Sequence, residues 1–174
     1  MGTVVRYKAE VPSKEDLLDK LIVEWRREVP GLKADALNVV GRIQYLGSKF
    51  EGNANKALKH FELKYTDFDV LGTLRRTGKP YLLTPTQLRE TVLITSGAMT
   101  AALDRLERAG LISRVPDATD RRIKAAALTD AGIEISQNAA EARFEEAEKS
   151  IQNLTPNEQR ELAQLLKKLT TSVQ

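Results

Sequence analysis

The chain has 174 residues, 41% of them hydrophobic and 29% charged, with a formal net charge of +3. That profile suits one ordinary globular domain, or two small lobes sharing a core, and excludes a disordered chain. There is no cysteine and a single histidine, His60, so disulfides, thiolate metal sites and thiol redox chemistry are removed, and a histidine zinc site or Ser-His-Asp triad lacks its parts. No apolar run approaches the roughly 18 residues of a membrane helix. The opening MGTVVRYKAE has neither an apolar segment nor a small-residue cleavage pattern. A cytoplasmic protein without membrane contact, metal, cofactor or catalytic residues is the expectation. Charge is unevenly spread: residues 64–125 carry eleven Lys/Arg against seven Asp/Glu, and residues 131–174 carry five against seven. The basic excess therefore sits mid-chain, though an excess of four also suits a solvated surface.

In chain order, residues 13–29 read as an amphipathic helix capped by Ser13, with Leu18, Leu21, Ile22, Trp25 and Val29 on one face and Pro30-Gly31 as the stop. Packing in a core accounts for Trp25 on that stripe. A longer helix spans about 34–59. Its stripe of Val39, Val40, Ile43, Leu46 and Phe50 is interrupted by Gly41, Gly47 and Gly52, which predicts close approach to another helix. Thr66 or Asp67 caps a third helix, with Phe68, Val70, Leu71 and Leu74 inward, ending near Thr77-Gly78. Thr84-Pro85 opens a short fourth helix. Thr95-Ser96 caps a fifth, with Met99, Leu103 and Leu106 inward and Gly110 as its stop.

After it the pattern changes. LISRV (111–115) and RIKAAAL (122–128) are short extended runs around the turn-rich PDATDR, which predicts a two-stranded hairpin. LTDAG then opens a helix to about Asn153, and Thr155-Pro156-Asn157-Glu158 forms a capping box for a last helix to about Thr170. The apolar stripes of the terminal helices exceed what one small lobe covers, which predicts a second copy of the chain.

Helix, short helix, helix and hairpin over 66–128 are the parts of a winged helix-turn-helix. The outer face of the fifth helix offers Thr95, Ser96, Ala98, Thr100 and Ala101, small enough to approach base edges. The same face also suits a bundle helix with a small exposed surface. Arg114, Arg121, Arg122 and Lys124 cluster on the hairpin within reach of phosphates, with Asp117 and Asp120 among them. An Asp120–Arg pair would hold the tip, and a solvated turn with offsetting charges is the plainer account.

The segment LERAGLISRVPDATDRRIKAAALTDAG (106–132) resembles the signature of the MarR family. There, a Leu-Glu-x-x-Gly-Leu-Ile helix exit leads to an Asp-Arg-Arg wing and a Leu-Thr-x-x-Gly helix start. The similarity runs over about residues 34–172. It implies a mainly helical protein with a small two-stranded wing: N-terminal dimerisation helices over 1–62, a DNA-binding domain over 63–130 and C-terminal dimerisation helices over 131–174. It also implies a homodimer binding pseudo-palindromic double-stranded DNA, with repression the expected sense of regulation. Thr95, Ser96, Ala98, Met99, Thr100 and Arg105 would form the recognition surface, and Arg121, Arg122 and Lys124 the wing contact.

WRREVPGL, FDVLGTLRRTGKPY and TPTQL further resemble the PecS and urate-responsive subgroup, in which an extra tryptophan-bearing helix, an aspartate and arginines answer an anionic purine. Trp25, Asp69 and Arg114 match that set, while Ala102 stands where the subgroup carries an arginine. The resemblance thus implies release from DNA by a small aromatic anion, urate or a phenolic carboxylate. By the residues alone, Asp69 is a solvated carboxylate or one paired with Arg76 or Arg114, and His60 a surface or helix-end residue. A ligand-independent architectural DNA-binding protein is the alternative that shares the winged domain.

Overall fold

The computed structural model describes residues 15–92, 95–116 and 122–172. It divides into two compact units, Met1–Lys49 and Phe50–Gln174, with the division inside a helix. Seven α-helices are described: α1 (Leu17–Glu28), α2 (Leu37–Leu58), α3 (Tyr65–Arg76), α4 (Pro85–Thr91), α5 (Ser96–Arg108), α6 (Asp130–Ile151) and α7 (Pro156–Ser172). Three strands join them, β1 (Leu82–Leu83), β2 (Ile112–Pro116) and β3 (Lys124–Leu128). Among the described residues no helix is long and apolar enough to cross a membrane.

In the first unit, the cap of α1 is Asp16; the expected cap, Ser13, lies outside the described residues. The Asp16 carboxylate accepts the backbone N–H groups of Leu18 and Asp19, and Asp19 reaches back to the Asp16 N–H at 3.0 Å. These are orphan donors of a helix start, satisfied reciprocally. Arg42 of α2 then grips both carboxylates, at 2.7 Å to Asp19 and 2.9 Å to Asp16. The Asp16 backbone N–H, and after it Arg42, hold the Asp19 carboxyl below its ordinary range. Gly41 faces Leu18 so closely that a Cβ there would lie 2.7 Å from the Leu18 side chain, whereas Gly47 and Gly52 face nothing within 4 Å. Close approach thus explains one of the three glycines.

The stripe expected on α1 is only partly buried. Leu18 and Ile22 are inside, but Trp25 is 49% exposed and Leu21 and Val29 are also open. Trp25 is therefore not a core residue of this chain. The unit is too small to cover a full helix face, so the apolar pattern is wider than the cover.

In the second unit, α3 is central. Val70, Leu71 and Leu74 are fully buried and join Leu88 of α4, Met99, Ala102, Leu103 and Leu106 of α5, and Ala126 and Leu128 of β3 in one core. The N-cap of α3 is Lys64, two or three residues before the expected Thr66 or Asp67, and Asp67 instead accepts the Lys64 N–H at 2.9 Å. Thr84 caps α4 reciprocally with Gln87. The sheet has three strands in the order β1-β3-β2, all antiparallel, where the sequence suggested two. A two-residue strand carries no period to detect; β1 exists because Leu82 and Leu83 pair with Ala127 and Ala126.

One junction ties α5, the wing and α6 together. The Leu111 carbonyl accepts the Thr129 N–H at 3.1 Å, and the Thr129 hydroxyl donates to the Gly110 carbonyl and accepts from the Gly132 N–H. Gly132 is needed because a Cβ there would sit 1.9 Å from the Leu111 carbonyl oxygen. Gly132→Ala should gain about 1 kcal/mol of helix propensity yet lose about 1–3 kcal/mol net through overpacking. The check is a urea midpoint that falls at unchanged slope. A midpoint at or above wild type would show that α6 can slide off Leu111 freely.

Candidate nucleic-acid interface

α5 is sorted cleanly by its own period. Met99, Ala102, Leu103 and Leu106 point into the core, while Gly97, Thr100, Ala101, Asp104 and Arg108 form the exposed stripe at i, i+3, i+4 spacing. Thr95 is exposed and caps the helix, its hydroxyl accepting the Ala98 N–H at 3.3 Å; Ala98 is half-buried. The remaining free N–H groups of the first turn belong to a 13-residue helix whose positive end favours anions. Ser96 is the first residue of that helix.

Two residues expected on the recognition surface are placed otherwise. Met99 is only 5% exposed and packs in the core, so its side chain is unavailable to a base edge. Arg105 turns back to α3: Nη2 lies 2.6 Å from Asp67 Oδ1 and 3.3 Å from the Thr66 hydroxyl, and Nε donates to the same carboxylate at 3.1 Å. Asp67 is 2% exposed. A carboxylate that deep is tolerated only when paired and fully hydrogen-bonded, and the guanidinium fork meets it along one edge while the Lys64 N–H takes the other oxygen. Sequence reasoning saw Asp67 as a cap and Arg105 as a surface cation. Their separation of 38 residues hides the pair until the fold is known.

On the wing, Arg122 and Lys124 are exposed, and Lys124 stands opposite Pro116 in the β2–β3 register. Asp117, Asp120 and Arg121 lie outside the described residues, as does the expected Asp120–Arg tie at the tip. Arg114 is drawn to the end of α5, 3.3 Å from Asp104 and 3.4 Å from Glu107. It therefore fastens the root of the wing to α5.

A cavity of about 310 Å³ opens between α3 and α6, lined by Phe68, Asp69, Gly72, Thr73, Arg75, Arg76, Ser136, Ala140 and Phe144. Asp69 of the expected ligand set lies on it; Arg114 is not among its lining residues, and Trp25 belongs to the other unit. Ala102 is fully buried, a packing position rather than a cavity wall. His60 is exposed in a 3-10 turn with its ring against Phe61. Among the described residues no three His, Cys, Asp or Glu side chains group as a metal site.

This order of elements, with a buried α5 base, an exposed α5 face and an antiparallel wing, is matched in known proteins. The MarR family model covers residues 61–123. The HTH-type transcriptional regulator PecS of Dickeya dadantii is 31% identical over 146 residues, 84% of this chain and 88% of that one. The chain belongs to the MarR family. Its members are transcriptional regulators with a winged helix-turn-helix, not enzymes. In structure it is similar to a mutant MarR from E. coli complexed with operator DNA, with a TM-score of 0.67 and 26% identity over 83% of this chain and 96% of that one. A MarR family regulator from Streptomyces coelicolor in complex with DNA shares the fold, with a TM-score of 0.72 and 23% identity over 82% and 94% of the two chains.

The Asp67–Arg105 pair should be an energetic unit. Asp67→Ala and Arg105→Ala should each destabilise by about 2–4 kcal/mol, somewhat below the range for a fully buried pair because Arg105 keeps 30% exposure. The double variant should recover at least about 1 kcal/mol of the summed losses. Strictly additive losses in denaturant melts would show that the two side chains act independently.

Proposed function

We propose that this regulator binds pseudo-palindromic operator DNA as a homodimer, represses from it, and is released by a small aromatic anion. The observation that carries the DNA reading is the division of α5 into a core face and a stripe of small exposed residues beside a wing bearing Arg122 and Lys124. Thr95, Ala98 and Thr100 present hydroxyl and methyl groups to base edges in the major groove. Arg122 and Lys124 meet the flanking backbone, where contacts position the protein without reading sequence. Arg105 serves from behind, holding α5 on α3. The relatives solved with DNA support this use of the fold.

Dimerisation is supported by apolar surface that each unit leaves open. Leu17, Leu21, Val23 and Trp25 are exposed on α1, and Leu162, Leu165, Leu166 and Leu169 on α7. Removing such area from water is worth about 25 cal/mol per Å². Two-fold symmetry also sets two recognition helices about one DNA turn, roughly 34 Å, apart. Sedimentation at micromolar concentration should show a dimer, and a monomer there would refute it.

The α3–α6 cavity supports the effector reading. Its volume lies at the small end of ligand sites, roughly 300–1,000 Å³, and aromatic walls stand beside Arg75, Arg76 and Asp69. A phenolic carboxylate or urate is the kind of aromatic anion that this lining suits. Trp25 is to be tested with Asp69 and Arg114 by substitution.

DNA binding is tested by titrating retained genomic fragments and random DNA across a salt series. Arg122→Ala and Lys124→Ala should weaken both DNAs alike and reduce the salt slope by about one each. Thr100→Ala should instead change preference between related sites by about 1–3 kcal/mol. Equal affinity of wild type for operator and random DNA would make the protein an architectural binder.

A further inference from the structure

Helix α3 ends on Arg76, and this side chain reaches past its own helix to the end of the next one. Its Nη2 donates to the carbonyl of Thr91, the last residue of α4, at 2.9 Å and to the Thr73 hydroxyl at 2.9 Å. Both hydrogens of that nitrogen are thereby used. The last carbonyls of a helix have no partner within it, and a cation there also meets the negative end of the helix dipole. Thr73 is 1% exposed, so the hydroxyl that aims the guanidinium is itself fixed in the core.

The contact sits just ahead of the helix that faces DNA. Val92 caps the end of α4, its N–H donating to the Leu88 carbonyl at 2.9 Å, and Thr95 already caps the start of α5. Only residues 92–94 separate Thr91 from that second cap. At the opposite end of α3, Asp67 in the first turn holds Arg105 in the last turn of α5 at 2.6 Å. Helix α5 is therefore tied to α3 near both of its ends, directly through Arg105 and by way of α4 through Arg76. Leu88 and Val92 bury α4 against the same core, but apolar contact is non-directional and tolerates small slides that an aligned hydrogen bond resists.

We infer that Arg76 is a positioning residue for operator recognition: it fixes the end of α4 on α3 and so sets where the first turn of α5 meets the base edges. This rests on the reading of α5 as the DNA-facing helix. Thr95 and Ala98 stand at the start of that helix. Base contacts need donor and acceptor aligned within a narrow range, whereas backbone contacts to random DNA carry no such demand. Loss of the Arg76 tie therefore costs discrimination between sequences before it costs attraction to DNA as such. Arg76 is exposed, so its hydrogen bonds contribute little to folding.

The test titrates the full chain with a genomic fragment that it retains and with random DNA across a salt series, with thermal melts to establish folding. Arg76→Gln, which removes the charge and shortens the side chain, should weaken operator binding about fivefold or more, the scale of one good base contact. Random DNA should lose less than about twofold, and the salt slope should keep its wild-type value because no phosphate contact is removed. Arg76→Lys keeps a cation and a donor at the end of α4 and should restore most of the operator affinity. Thr100→Ala should cost less operator affinity in the Arg76→Gln background than in wild type, because both act through the placement of α5. Thr73→Val removes only the hydroxyl that aims the guanidinium and should weaken operator binding in the same direction. Wild-type affinity in that variant sinks the inference, including where Arg76→Gln does not fold. An equal loss on both DNAs, with the salt slope reduced by about one, would make Arg76 a phosphate contact and overturn the inference while the reading of α5 stands. Folded Arg76→Gln with operator affinity within about twofold of wild type overturns it as well. Equal affinity of wild type for the two DNAs removes the reading of α5, and the inference with it.

Discussion

A carboxylate at the bottom of the DNA-binding unit organises everything above it. Asp67 is almost wholly buried, and in that position it must be matched on every side. Its partners are the backbone of its own helix start and a guanidinium from α5, so one side chain both begins α3 and fixes where α5 lies across it. The leucines between the two helices supply most of the favourable energy, but apolar contact alone tolerates sliding and repacking. A bidentate ion pair does not. It gives α5 one register on α3, and so fixes which residues of α5 face outward.

A second set of ties carries that placement on to the wing. Arg114 joins the root of β2 to the last turn of α5, and Thr129 binds the α5 exit to the start of α6. Gly132 lets α6 begin where the Leu111 carbonyl already stands. α5, the wing and α6 are thereby tied to one another by ion pairs and hydrogen bonds. Tyr81, with its left-handed backbone, stands at the start of the sheet with its ring 4.8 Å from the Arg75 guanidinium.

Large apolar residues stand exposed on α6 and α7. Phe144 at the rim of the cavity is 68% exposed and Leu165 on α7 is 63% exposed. Both are periodic members of helix faces rather than scattered surface residues, which is the pattern of surfaces that meet another protein.

Much of this was legible from residue order. The helices at 66–76, 84–92 and 95–109, the Gly110 stop, the hairpin and the Thr129 and Thr155 caps follow from periods and cap residues that act over four positions or fewer, so a linear string carries them. The inward set Leu71, Leu74, Leu103 and Leu106 follows from the same periods. Partnership across distance was not legible. Arg105 has the pattern of a surface cation until Asp67, 38 residues away, is folded beneath it; the inward side of Met99, by contrast, was already given by the helical period, against the surface role that the resemblance implied. β1 is too short to show a period, and Tyr81 carries no mark of its left-handed backbone. Trp25 matches a core stripe in spacing, yet spacing states only which face is apolar, not whether the chain has enough mass to cover it. Local propensity is written in neighbouring residues, whereas burial and ion pairing depend on what the rest of the chain brings alongside; only the tertiary structure decides them.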